Sequence, residues 1–146
     1  MEDLPHPDNK HLEAAEGWLG LGDHSSANEE LNYISPKLRA HPLVLEMRYK
    51  IFAKSKRWEG AVEIARTLME MLPDNSWGFI HYAFSLHELK RTREAYGVLI
   101  PVVHKFSEPT IRYNLACYSC QLGKAIRCVG ATDNELCPPS DTEPPA

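Results

Sequence analysis

Apolar residues along the chain recur at helical spacing in short blocks, and the blocks come in pairs. Between Leu43 and Pro73 the first block carries Leu45, Tyr49 and Phe52 on one face. Lys56 and Arg57 make a turn. The second block carries Trp58, Ala61, Ala65 and Leu68 before Pro73 stops it. Steps of three and four place such residues on one stripe of an α-helix, so the stretch reads as two amphipathic helices joined by a tight turn. The pattern repeats on both sides. Ala27, Ala61 and Ala95 stand 34 residues apart, as do Trp18, Phe52 and Leu86, and Leu31, Ala65 and Leu99. A fixed period with matching residue types marks a stacked repeat array. It predicts an all-α chain of seven main helices in antiparallel pairs.

The punctuation agrees with that period. Residues 1–8 read as a flexible lead-in, and Asp8 or Asn9 opens the first helix by accepting its first free N–H groups. Leu12, Ala15, Trp18 and Leu19 form its stripe, and Gly20-Leu21-Gly22 ends it. Ser26 and Glu29 form a capping-box pattern for the second helix, which buries Ala27, Leu31, Ile34 and Leu38 and is kinked or shortened by Pro36. Pro42 starts the third. Pro73-Asp74-Asn75-Ser76 punctuates and caps the fifth, from Ser76 to Leu89. Thr92 caps the sixth, which Pro101 bends or ends early. Pro109 starts the seventh and Gly123 closes it. After Gly123 the pattern fails: an eighth helix is due, but Gly130, Pro138 and Pro139 interrupt it. Residues 125–146 read as a truncated repeat and a disordered tail.

These residues resemble the tetratricopeptide repeat family, whose pattern is W-x2-L-G-x2-Y, then A-x3-F, then P. The first part is matched by Leu45-x2-Arg48-Tyr49-x2-Phe52, by Phe79-x2-Tyr82-Ala83-x2-Leu86 and by Tyr113-Asn114-Leu115-Ala116 leading to Gly123. The second part is matched by Ala27-x3-Leu31, Ala61-x3-Ala65 and Ala95-x3-Leu99, with Pro73 as the closing proline. The likeness covers residues 9–124 as three and a half repeats. The small residue at 27, 61 and 95 has a packing reason, because the two helices of a hairpin cross closely there.

The resemblance implies a right-handed superhelical α-solenoid. Its inner groove would be lined by the first helix of each pair and would bind a peptide or a partner's helix, without catalysis. It places Leu12, Glu16, Met47, Lys50, Lys54, Trp77, Ile80, His81, Phe84, Tyr113 and Asn114 on that groove. Met47, Lys50, Trp77, His81, Phe84, Tyr113 and Asn114 are the candidate partner-binding residues, a mixture of aromatic anchors and polar groups. One subtype of the family grips C-terminal carboxylates through Lys, Asn and Arg. Here Leu12, Glu16, Met47, Trp77 and His81 stand at the matching places, which argues against such a clamp.

Composition narrows the classes. With 16 basic against 20 acidic residues the net charge is −4, unlike the basic footprint of a general nucleic-acid binder. No apolar run approaches the roughly 20 residues of a membrane span, and Met1–Asn9 lacks the pattern of a secretory signal. A soluble, cytoplasmic protein is expected, with Cys117, Cys120, Cys128 and Cys137 as thiols. Cys117 and Cys120 share a helix face, but the other two lack a zinc-module framework, and no metal or cofactor is expected. His87-Glu88 begins an H-E-x-x-H frame that Arg91 breaks. With no nucleophile elbow or phosphate loop either, no catalytic residue is assigned.

Basic residues gather at the hairpin turns, as Lys54, Lys56 and Arg57, then Lys90, Arg91 and Arg93, then Lys124 and Arg127. They read either as a strip for an acidic partner or as charge favoured at helix C-termini. The functional expectation is a non-catalytic protein-interaction scaffold. The alternatives are a structural self-association module, including a homodimer through the incomplete C-terminal repeat, and a cysteine-based metal-binding protein.

Overall fold

A computed structural model describes residues 3–123. Its described residues form seven α-helices and no strand. They are α1 (Asp8–Gly20), α2 (His24–Asn32), α3 (Pro42–Lys54), α4 (Trp58–Met71), α5 (Ser76–Glu88), α6 (Thr92–Leu99) and α7 (Pro109–Gln121). The expected truncated repeat and tail lie outside the described residues. None of the described helices is long and apolar enough to cross a membrane. The chain divides into two compact units, the first through Met71 and the second from Leu72.

The period is written into the backbone as well as the side chains. Gly22, Lys56 and Lys90 adopt left-handed φ angles of +83°, +58° and +64°. The next residue in each case, Asp23, Arg57 or Arg91, donates its N–H to the carbonyl of Trp18, Phe52 or Leu86 at 3.0, 2.8 and 2.9 Å. This six-to-one bond satisfies a carbonyl that the helix end would otherwise leave open. Its acceptors are one of the residue triplets that step by 34 along the sequence. The bond therefore ends α1, α3 and α5 alike. Gly123, with φ of +76°, follows α7 in the same way.

In the first unit α1 packs on α2, α3 packs on α4, and α3 also meets α1 and α2. Ala15, Ala27, Leu31, Ile34, Val44, Met47 and Ile51 form its core cluster, flanked by Leu12, Leu19 and Leu38. Leu4 belongs to that cluster too, so Leu4 and Asp8 are buried within the stretch expected as a flexible lead-in. Asp8 explains how this stretch is held. Its carboxylate accepts from the Ser35 N–H at 2.8 Å and from the Ser35 hydroxyl at 3.0 Å, fastening the start of α1 to the loop after α2. Those bonds, the backbone one first, hold the Asp8 carboxyl below its ordinary range despite its burial. In the α3–α4 hairpin, a side chain at Gly60 would meet the Phe52 ring at 3.2 Å. The helices are that close there.

In the second unit α5 packs on α6, and α7 packs on α6 and α5. Leu86, Ala95, Leu99, Ile111 and Leu115 are fully or almost fully buried. The Phe79 and Phe106 rings meet at 5.5 Å. Lys105 closes the loop before α5, donating to the Pro73 carbonyl at 2.8 Å and pairing with Asp74.

Two local expectations need correction. Asp23, not Ser26, caps α2, because its carboxylate accepts from both the N–H and the hydroxyl of Ser26. Thr92 does not cap α6; it is the first helical residue, and its hydroxyl lies 2.9 Å from Nδ1 of His87. Of the two outcomes expected at Pro36, a kink or a shortening, α2 shows the second: it stops at Asn32 and is followed by a separate short 3-10 turn, Pro36–Leu38. Pro101 likewise sits in a 3-10 turn, Ile100–Val102, after α6 has ended. A proline has no N–H for the helical ladder, so the backbone changes to a tighter turn around it.

Candidate peptide-binding face

The candidate residues divide between the two units. In the first, α3 carries Met47 and Lys50. Met47 is only 5% exposed and sits in the core cluster, so its side chain is committed to packing. Lys50 is exposed. It attracts the Glu46 carboxylate one turn earlier, but partial burial outweighs that attraction and raises the Glu46 pKa.

In the second unit α5 and α7 are in contact and carry the other five. Trp77 opens α5, where its N–H is capped by the Asn75 side chain at 2.9 Å. Its ring stacks on His81 with centroids 3.9 Å apart and planes 14° apart. The spacing of four residues puts the two rings one turn apart on the same face. His81 Nδ1 is 2.9 Å from the Trp77 carbonyl. A carbonyl only accepts, so this nitrogen carries the proton, and Nε2 is the acceptor of the neutral ring. Both rings are half-buried, as is Tyr113 on α7. Phe84 and Ile80 are each 7% exposed and act as buried supports of the face. Asn114 is buried, and its Nδ2 finds no hydrogen-bond partner among the described residues.

The sequence reading missed His87. It is 8% exposed, held by Thr92 and lying 4.9 Å from the Tyr118 ring. Thus it ties α5 to both α6 and α7. A histidine that is followed five residues on by a hydroxyl at a helix start is a weak signal, legible only once the turn geometry is known.

The basic turns differ in detail. Arg57 lies over the Phe52 ring at 5.4 Å, and Arg91 pairs with Glu94. Lys90, Arg91 and Arg93, with Thr92, Glu94, Gln121 and Leu122, line a cleft of about 410 Å³. Lys124 and Arg127 lie outside the described residues. Cys117 is buried, but Cys120 is disulfide-bonded, where four thiols were expected. Disulfides belong mainly to oxidising compartments, so the cysteines lend no support to a cytoplasmic setting. Cys128 and Cys137 lie outside the described residues.

The described chain is thus an all-α protein of consecutive helix pairs with a 34-residue period. No family model matches it, and no curated protein or solved structure is similar to it.

Proposed function

We propose that this chain is a tetratricopeptide-type interaction module. In this reading it is a non-catalytic scaffold whose α5–α7 face binds an extended peptide or a partner's helix. The supporting observation is the Trp77–His81 stack, a half-buried aromatic pair on α5, the helix that also buries Phe84 and meets α7, which carries Tyr113. A stacked pair offers a large contact area at little entropic cost, because its rotamers are already held by the neighbouring ring and by the bond to the Trp77 carbonyl. Asn114 on α7, whose Nδ2 has no partner among the described residues, supplies direction to a ligand, which apolar area alone cannot do. The repeat architecture supports a superhelical array.

The test is selection of ligands from a displayed random-peptide library on the purified full chain, followed by titration of the enriched peptide. Trp77→Ala should weaken that peptide by about 2 kcal/mol, the level of an interface hot spot, with the helical circular dichroism intact. A peptide that binds the variant as tightly as the parent would place recognition elsewhere.

A further inference from the structure

We propose that the basic cleft at the α5–α6 turn is a docking site for this chain's own acidic stretch, Asp133 to Glu143. The cleft lies in the second unit and is lined by Lys90, Arg91 and Arg93, with Glu94, and by Gln121 and Leu122 from the end of α7. Glu94 is spent on Arg91. Lys90 and Arg93 make no ion pair among the described residues, so the cleft keeps a net positive lining.

Two features of the chain point to its occupant. The first is position: Leu122 is itself part of the lining, so the polypeptide leaves α7 at the cleft. Asp133 is ten residues beyond Gly123, a reach of up to roughly 33 Å, ample to return to a site at its own root. The second is charge. From Cys128 onward the sequence holds Asp133, Glu135, Asp141 and Glu143 and no lysine or arginine. Exposed ion pairs are individually weak. A covalent tether, however, presents the carboxylates at an effective concentration in the millimolar range, at which a weak site fills. Carboxylates bound in this way would compete with any acidic ligand arriving from outside, and salt would release them.

The experiment uses the full chain and a fluorescent synthetic peptide of residues 130–146 as probe, at about 10 mM ionic strength, where the screening length is about 30 Å. One variant combines D133N, E135Q, D141N and E143Q, which removes the tethered charge at positions outside the described helices. The peptide should bind this variant several-fold tighter than the parent chain. Adding K90E and R93E should abolish that binding, and K90Q with R93Q should weaken it if the charge reversal disturbs the helices. Equal affinity for parent and variant would show a cleft open to any acidic peptide and would overturn the proposal. So would no binding to the variant, or binding that survives the changes at Lys90 and Arg93.

Discussion

The two units use burial differently. In α4 of the first unit the buried residues are Ala61, Val62, Ala65 and Leu68, one stripe of the helix. In the second unit Ala83 to His87 on α5 and Asn114 to Ser119 on α7 are buried without interruption. At 100° per residue such runs cover the whole circumference of a helix. The polar content follows suit. Asp8 is the buried polar residue of the first unit, and its carboxylate is bonded to Ser35. The second unit buries Ser85, His87, Asn114 and Ser119. Of these, Asn114 Nδ2 and Ser119 Oγ have no partner among the described residues. A buried polar atom without a partner costs about 1–3 kcal/mol. The first unit's one fully buried polar side chain among the described residues therefore helps hold it together, although Oδ1 of the half-buried Asn9 has no partner among them either. The second unit carries some that do not repay their burial in stability, as a binding face would.

The sharpest way to break this comparison is through the cores. Leu31 on α2 is fully buried in the first unit's cluster, and Leu115 on α7 is fully buried in the second unit. Each truncation to alanine should cost about 2–5 kcal/mol, read from urea denaturation. If the units differ only in their polar content, the two costs should be similar. A loss below about 1 kcal/mol at Leu115 would mean that the second unit's core is too loose to present a defined face.

Next in size come the turns. Lys56 and Lys90 occupy left-handed backbone that costs a residue with a Cβ about 1–2 kcal/mol. Lys56→Gly and Lys90→Gly should each stabilise the chain, by about 0.5–1 kcal/mol once the added freedom of the unfolded glycine is subtracted. Gly22→Ala should destabilise it by about 1 kcal/mol. Opposite signs at equivalent positions of the period would show the turn geometry to be common to both units. Thermal melts of the three variants suffice.

A pH titration reads the first unit's carboxylates. The bonds from Ser35 hold the Asp8 carboxyl below its ordinary value in the folded chain, and those from Ser26 do the same for Asp23. A lowered carboxylate gives stability that is complete above the unfolded value near 3.9 and is lost as pH falls through the folded value. Stability should therefore drop below about pH 4, and Asp8→Asn should flatten that part of the profile while leaving the neutral region's slope unchanged. An acid limb identical in the variant would mean that Ser35 does not hold the carboxylate in solution.

Much of the helical framework was legible in the sequence, because its main signals are local. Leu31, Ala65 and Leu99 recur with the hairpin, and Pro42, Pro73 and Pro109 mark boundaries by what a proline cannot do. The failures are also physical. Ser26 looked like a cap because Glu29 follows it, but Asp23 reaches the same first-turn donors from an earlier position. Leu4 was unreadable as core because one leucine among prolines has no periodicity; its partners come from α1, α2 and α3. Met47 was assigned to a groove from its place in the repeat, yet side-chain burial depends on neighbours far away in sequence. Trp77 and His81 could be paired by their spacing, whereas the His87–Thr92 contact needed the left-handed turn at Lys90 to bring α6 back.

The smallest expected effect tests the comparison most directly. Asn114 is 3% exposed and its Nδ2 has no partner among the described residues. Leucine has the same branching and number of heavy atoms, though its methyl groups are bulkier than the planar amide. Asn114→Leu removes an uncompensated amide and substitutes apolar atoms, an exchange that is close to neutral when no good hydrogen bond is lost. The expected change in unfolding free energy is within about 1 kcal/mol, with stabilisation the favoured sign. Affinity for a selected peptide should nevertheless fall if the amide directs that ligand. Asp8→Asn keeps the shape but gives up a charged acceptor bonded twice by Ser35, so it should destabilise at neutral pH. Together the two substitutions ask whether a buried polar side chain serves the fold or the face. A strong destabilisation by Asn114→Leu, with peptide affinity unchanged, would move Asn114 into the same role as Asp8 and erase the distinction between the units.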